Sequence, residues 1–208
     1  MLPAAFRPLA EEAYFFQRGT LLGHLLSSPQ ERALLQAEFL SASLPVASRM
    51  SVPSLHVLGR PGPAAAAAPP GEGFVEVPPV DLALLLGVAA VLDCGSQVFV
   101  WVGRGEGRAG VEARCARFAA AQAEGRAPFP EVVVLAEGED DPSPLLLRLA
   151  PMRRDARAAQ RAQLPLLDVL PAGAVDAACD ALPATEEPSL LEWLRRHDVA
   201  LQLPQKQR

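Results

Sequence analysis

Two apolar runs joined by a short connection constrain the fold of this chain most. Val88–Leu92 and Gln97–Val102 consist almost entirely of small apolar, β-branched and aromatic residues, and residues 93–96 (Asp-Cys-Gly-Ser) join them. A connection of this length that contains glycine predicts a β-hairpin. Because both runs are apolar at nearly every position, we expect a sheet that is covered on both faces.

The segments around this hairpin predict a mixed sheet that packs against helices. In chain order they are a strand at Gly73–Val77, a short helix at Asp81–Leu86 capped by Asp81, a long helix at Arg108–Glu124, a strand at Glu131–Leu135 and a last short element at Leu145–Leu149. Strands and helices in this order, with a hairpin among them, predict an α+β fold.

The long helix is predicted to be amphipathic. Its apolar face carries Val111, Cys115, Phe118 and Gln122, whereas Arg114 and Arg117 are expected to point away. A cysteine on the apolar face of a helix is most simply a core residue. The helix is therefore expected to lie on the sheet through this face.

Further helices are expected on both sides of this region. Ser28 and Glu31 form a capping-box pattern that begins a helix reaching about Ser41, and Ala13–Leu26 predicts a short helix broken near Gly19. Ser54–Leu58 alternates as a short strand that carries His56.

A second capping box predicts a helix near the C-terminus. Ser189 and Glu192 begin it, and it is expected to reach about His197. Leu190 and Trp193 share one side of this helix. We expect that side to dock on another surface, in this chain or in a partner.

Two predicted linkers divide the chain into segments. The predicted organisation is a helical segment with a short strand (1–59), a Pro/Ala/Gly linker (60–73), a mixed-sheet domain (74–151), an irregular linker with at most a helical turn (152–188) and a docking helix (189–198). Prolines and glycines interrupt every periodic pattern in the two linkers, which is why no regular element is expected there.

Composition excludes several functional classes. The net charge is −5 and no dense basic tract occurs, which argues against nucleic acid as a partner. The longest apolar run, Leu82–Leu92, is too short to cross a bilayer, and charged residues near Met1 argue against a secretory leader. Three widely spaced cysteines show no metal-binding pattern, so reduced thiols in the cytosol are expected.

Residues 105–110 (Gly-Glu-Gly-Arg-Ala-Gly) match the dinucleotide-binding pattern G-x-G-x-x-G, and Glu137 lies further along at a strand end. The preceding strand is expected to be the second arm of a hairpin, however, whereas a Rossmann first strand lies inside a parallel sheet. A plain glycine-rich turn is the favoured interpretation. A dinucleotide-binding enzyme stays open as the weakest alternative.

The remaining reactive side chains do not combine into a catalytic pattern. Histidines 24, 56 and 197 are far apart in the sequence, and the acidic residues at 137, 139, 140 and 141 surround a glycine in an expected loop. Solvated charge is favoured there over a calcium site. We therefore expect no catalytic residues, no cofactor and no metal, and we interpret Trp101 and Trp193 as packing anchors.

Ala89–Gly103 resembles the centre of a gelsolin-like repeat, in which two strands surround L-D-x-G and an aromatic strand ends in W-x-G before a long helix. Two families carry this repeat: the gelsolin and villin actin-severing proteins, and the large subunits of the COPII vesicle coat. The resemblance implies a gelsolin-like mixed sheet flanked by a long and a short helix, preceded by a short helical segment.

The flanking segments resemble the C-terminal portion of the Sec twenty-three coat subunit, in its plant or algal form. They are Tyr14–Gly23, Ala47–Pro53, Phe74–Leu84, Arg148–Pro151 and Ser189–Arg196. The resemblance implies a cytoplasmic protein that associates peripherally with endoplasmic reticulum exit sites and COPII vesicles. Its implied partners are a Sar-type small GTPase and other inner- and outer-coat subunits, in transport from the endoplasmic reticulum to the Golgi.

One departure bears on activity. The family presents an arginine to the bound nucleotide, and alignment from Arg148–Pro151 places Ser143 at that position. Serine cannot supply the positive charge, and Arg148 would serve only under a shifted alignment. The resemblance therefore implies GTPase docking, with the activating role in question.

The gelsolin alternative implies actin binding, but Arg108–Gly110 stands where acidic residues help to bind calcium in those repeats.

Overall fold

A computed structural model describes residues 6–19, 21–22, 28–59, 71–105, 107–170, 173–181 and 187–197. Most of the predicted first linker, together with Glu106 and His24, lies outside these residues. Within the described ranges, none of the helices combines the length and the apolar character that a bilayer crossing needs.

The described residues form helices and five strands in an α+β arrangement, as the sequence predicts. The α-helices are α1 (Arg7–Arg18), α2 (Pro29–Ser41), α3 (Leu44–Ser51), α4 (Arg108–Ala123), α5 (Ser143–Leu146), α6 (Arg157–Gln163), α7 (Ala174–Ala181) and α8 (Leu190–Arg196). The strands are β1 (Ser54–Leu58), β2 (Phe74–Val77), β3 (Ala89–Asp93), β4 (Gln97–Val102) and β5 (Glu131–Ala136). Short 3₁₀ helices span Asp81–Leu85 and Pro165–Val169.

The strands form one mixed sheet in the order β2-β1-β3-β4-β5. The predicted hairpin is confirmed, since β3 and β4 pair antiparallel with Ala89 opposite Val102 and Asp93 opposite Val98. β5 pairs parallel to β4, and α4 makes the crossover between them. The sheet is therefore antiparallel on one side of β4 and parallel on the other.

Both faces of the sheet are covered, as the apolar runs predict. All five residues of β3 are buried. On one face, Val91 and Val100 pack with Cys115 and Phe118 of α4. On the other face, alternate strand residues pack with residues of α1, α5, α6 and α8; they include Ala90, Leu92 and Phe99. This alternation follows from the two-residue period of a strand.

The C-terminal helix docks within the chain, on α1. Trp193 of α8 lies edge-on to Tyr14, with ring centroids 5.8 Å apart, and its indole N–H donates to Gln17 Oε1 at 3.2 Å. Ser189 and Glu192 form the predicted capping box. The docking side of α8 is thus occupied by the N-terminal helix.

Two local predictions are wrong. Asp81 does not cap the helix that it begins; its buried carboxylate accepts the Met152 N–H at 3.0 Å and pairs with Arg153 at 2.6 Å. Arg114 does not point away from the sheet, because its guanidinium lies 5.9 Å from the centre of the Phe74 ring and donates to the Glu72 carbonyl. A long arginine side chain can reach such partners from the edge of an apolar face.

The segment 152–188 is less irregular than the sequence predicts. It contains α6, a 3₁₀ helix and α7, and Leu164 and Leu167 are buried in the core. Two of the residues that suggested an irregular segment lie at element boundaries: Pro165 begins the 3₁₀ helix, and Gly173, with φ of 80°, precedes α7.

The predicted domain boundaries divide the sheet. β1 comes from the predicted helical segment 1–59, yet it lies between β2 and β3 of the predicted domain 74–151 and pairs with both. The organisation into domains stays a prediction.

Candidate functional site

The loop after β5 carries Ser143, the position at which the resemblance expects an arginine. Gly138 turns the chain with φ of 80°, which only glycine adopts readily. The Asp140 carboxylate then accepts the Ala136 N–H at 2.8 Å, and the Asp141 carboxylate accepts the Ser143 N–H at 2.9 Å. These two bonds satisfy backbone donors and fix the path of the loop into α5.

Ser143 is exposed at the first turn of α5. Prolines at 142 and 144 flank it, and proline is well tolerated at the start of a helix. Ser143 is thus an exposed surface position whose side chain has no charge.

The side chain of Arg148 is partly buried and bound to neighbouring groups. Its guanidinium lies 4.6 Å from the centre of the Phe99 ring and donates to Gln97 Oε1 at 2.7 Å and to the Pro144 carbonyl at 2.6 Å. Burial lowers the pKa of this guanidinium from its ordinary value. Contacts to a ring, an amide and a carbonyl together give Arg148 a structural role between β4 and α5.

Arg18 supports the same segment from α1, and sequence reasoning missed it. Its guanidinium donates to the Leu149 carbonyl at 3.0 Å and to the Tyr14 hydroxyl at 3.0 Å, and it pairs with Glu187. The spacing of Tyr14 and Arg18, four residues apart on a helix, was the available signal. Arg18 also donates to the Leu147 carbonyl at 3.4 Å, so this one side chain bonds to both ends of the 147–149 backbone.

The acidic residues after β5 are each engaged locally. Glu137 accepts the Arg104 N–H at 2.9 Å, and Glu139 pairs with Arg108. Within the residues that the structure describes, no cluster of three or more histidine, cysteine or acidic side chains could hold a metal ion.

His56, Cys94 and Cys115 occupy packed positions, whereas His197 is exposed. His56 lies on β1 against Phe118, with ring centroids 5.1 Å apart, and burial lowers its pKa from 6.5. Burial raises the pKa of Cys94 to about 12 and that of Cys115 to about 11. His197 stacks on Trp193. These pKa values place no activated thiolate at either cysteine.

A cleft of about 660 Å³ lies between the N-terminal helices and the β1–β2 edge of the sheet. Phe39, Leu44 and Pro78 contribute apolar surface to it. Glu76 at its rim accepts the Ser54 hydroxyl at 2.7 Å and pairs with Arg49 at 3.5 Å. The carboxylate is thereby ionised more readily, and these bonds lower its pKa.

The glycine-rich turn does not lie in a dinucleotide-binding sheet. Gly107 has φ of 77° and precedes α4, but the preceding strand β4 pairs antiparallel with β3. A Rossmann first strand has parallel neighbours on both sides. The mixed pairing therefore favours a tight turn that links β4 to α4.

The chain matches no protein-family model. It is similar to the protein transport protein SEC23 A of Arabidopsis thaliana, with 28% identity over 198 residues. The match covers 93% of this chain and 21% of that relative, so the chain spans about a fifth of the relative's length. The resemblance to a part of a Sec twenty-three subunit is confirmed by this similarity.

Proposed function

We propose that this chain is a component of a COPII-type vesicle coat and acts as a binding module in transport from the endoplasmic reticulum to the Golgi. The observation that carries the proposal is the similarity to the plant transport protein, which extends over 93% of the chain. The β3–β4 hairpin followed by α4 supports a gelsolin-like module within it.

The proposed partners are a Sar-type small GTPase in its GTP-bound form and other subunits of the inner and outer coat. Binding to a membrane-attached GTPase would place the chain on the cytoplasmic surface of endoplasmic reticulum exit sites. These partners are proposals, because the chain spans only about a fifth of its relative.

We further propose that the chain docks on the GTPase without accelerating hydrolysis. An arginine that stabilises the charge on the transferred phosphoryl group contributes roughly 10³–10⁵ in rate. At the aligned position this chain has the exposed Ser143. Arg148 is bound to Gln97, Pro144 and Phe99 and would have to give up all three contacts to reach a nucleotide.

A pull-down with immobilised chain tests the docking. The Sar-type GTPase is offered in GTP-loaded and GDP-loaded forms, with and without the other inner-coat subunit. Retention of the GTP-loaded form alone supports the proposal. Absence of retention under every condition, together with co-sedimentation of the chain with filamentous actin, would replace it by the actin-binding alternative.

Single-turnover GTP hydrolysis tests the absence of activation. We expect the rate with the wild-type chain to equal that of the GTPase alone, and the S143R variant to raise it. S143A is the matched control, because it changes the same side chain without adding charge. A wild-type chain that raises the rate as much as S143R would contradict this part of the proposal.

A further inference from the structure

The outer edge of β5 presents unpaired backbone groups. β5 is the last strand of the sheet, and the amides of Glu131 and Glu137 donate to carbonyls on the β4 side at 3.2 and 2.9 Å. Both backbone groups of one strand residue point to the same side, so the alternate residues Val132 and Val134 point theirs away from β4. Within the described part of the chain, no further strand lies beside β5 on this side.

This edge is closed at both ends, which defines its length. Pro130 precedes the strand and has no amide hydrogen. At the other end, the Ala136 amide donates to Asp140 Oδ2 at 2.8 Å. The free part therefore offers two amides and two carbonyls, from Val132 and Val134.

The side chains at this edge are apolar and partly uncovered. Val132 and Val134 are 37% and 40% exposed, and Phe129 just before the strand is 63% exposed. Opposite them in β4, Val98 and Val100 are fully buried. The difference arises because α4 packs over β3 and β4.

Natural proteins usually protect such an edge with a lysine, a proline or a bulge. The run Val132–Val134 contains neither lysine nor proline, and its three consecutive valines favour strand pairing. The edge thus has the backbone and the side chains that strand addition requires.

The negative charge beside this edge favours one kind of binding segment over others. The turn at residues 137–141 places four exposed carboxylates next to the C-terminal end of β5. The two arginines at 104 and 108 offset part of this negative charge. A segment that pairs antiparallel brings its N-terminal end to this turn. A basic residue at that end complements the charge.

We propose that β5 is a docking edge for an extended segment of another protein, which adds as a sixth strand antiparallel to β5. The segment carries a basic residue at its N-terminal end and β-branched residues at alternate positions. A second copy of this chain fits less well, because an antiparallel β5 pair would bring the acidic Glu131 of one copy to the acidic turn of the other. The inference does not depend on the coat function.

Fluorescence anisotropy with a labelled probe peptide, Lys-Arg-Val-Thr-Val-Thr-Val-Ser, tests the proposal on the full chain. We expect saturable binding that weakens at least tenfold when the peptide amides facing β5 are N-methylated. The V134K variant is expected to lose binding to a similar extent, and V75K, at the exposed valine of the opposite edge strand, is the matched control.

Equal binding of the N-methylated peptide, or no saturable binding by the wild-type chain, would overturn the proposal. Unchanged binding by V134K, with a far-UV circular dichroism spectrum that matches the wild type, would also overturn it. A chain that forms dimers in sedimentation, and loses them in V134K, would replace the peptide by a second copy.

Discussion

Helix α2 and strand β3 are opposite extremes of burial in this protein. α2 has 13 residues and none of them is buried, whereas β3 has five residues and all of them are buried. Leu34 and Leu40 of α2 are 71% and 84% exposed, and Leu92 of β3 is fully buried. Both segments contain leucine and alanine, but six of the 13 residues of α2 are polar or charged, whereas Asp93 is the one such residue of β3.

The difference shows where the stability of the chain resides. β3 lies between β1 and β4 and has a hydrophobic cluster on each face. α2 meets the rest of the described chain through a few side chains, such as Phe39 beside Phe16 with ring centroids 6.0 Å apart. Substitutions in β3 should therefore unfold the protein, and substitutions in α2 should alter only its surface.

The largest effect is expected at the end of β3, in the variant Asp93→Ala. The Asp93 carboxylate is buried, pairs with Arg126 at 2.8 Å and accepts the Gly95 N–H at 2.9 Å. Removing one partner of a buried ion pair costs about 3–5 kcal/mol, because the other charge stays buried. Urea denaturation measures the loss, and Asp93→Asn is the control that keeps the acceptor for Gly95. A loss under about 1 kcal/mol would contradict the prediction.

A loss of about 3 kcal/mol is expected for Leu92→Ala, because deletion of a buried leucine side chain removes apolar contacts and leaves a cavity. The free energy of unfolding from urea titration provides the measurement. Leu40→Ala in α2 is the matched control, since it makes the same chemical change on an exposed helix. Equal losses in the two variants would remove the contrast between β3 and α2.

A pH effect is expected from His56 on β1, the neighbour of β3. Burial lowers its pKa from 6.5, with smaller opposing contributions from the Glu76 and Asp93 charges. The unfolded chain therefore binds more protons, so stability is full above about pH 6.5 and falls as the pH drops toward the folded pKa.

His56→Gln should flatten the pH dependence of the urea midpoint between about pH 5 and about pH 8. Glu76 stays ionised in this range, because its pKa is lowered from 4.5. A variant with the same pH slope as the wild type would show that another group is responsible.

The smallest effect is expected for Leu40→Ala by itself. A surface substitution away from packed contacts usually changes stability by no more than about 0.5 kcal/mol. A loss above about 1.5 kcal/mol in urea denaturation would contradict the exposed position of Leu40.

Periodic patterns predicted the centre of the fold well. The hairpin, the long helix and the strand with His56 follow from local alternation and from glycine and proline positions, which act over a few residues. The parallel pairing of β5 with β4 could not be predicted in this way, because register between distant strands depends on tertiary contacts. The roles of Asp81 and Arg114 depend on partners far along the chain and were missed for the same reason.

The candidate segment around Ser143 was predictable in part. The resemblance aligns Ser143 with an arginine, which stays a prediction, and no sequence pattern indicated that Arg148 is bound to Gln97 and Phe99. Nor could a pattern show that Arg18, from the first helix, bonds to the carbonyl of Leu149. Such contacts appear only when the elements are packed.

Flotation of the chain with liposomes that carry a Sar-type GTPase tests the coat assignment most directly. The account predicts that the chain rises with the liposomes when the GTPase holds a non-hydrolysable GTP analogue and stays at the bottom of the gradient when it holds GDP. Flotation that is independent of the nucleotide, or its absence with both, would contradict the assignment.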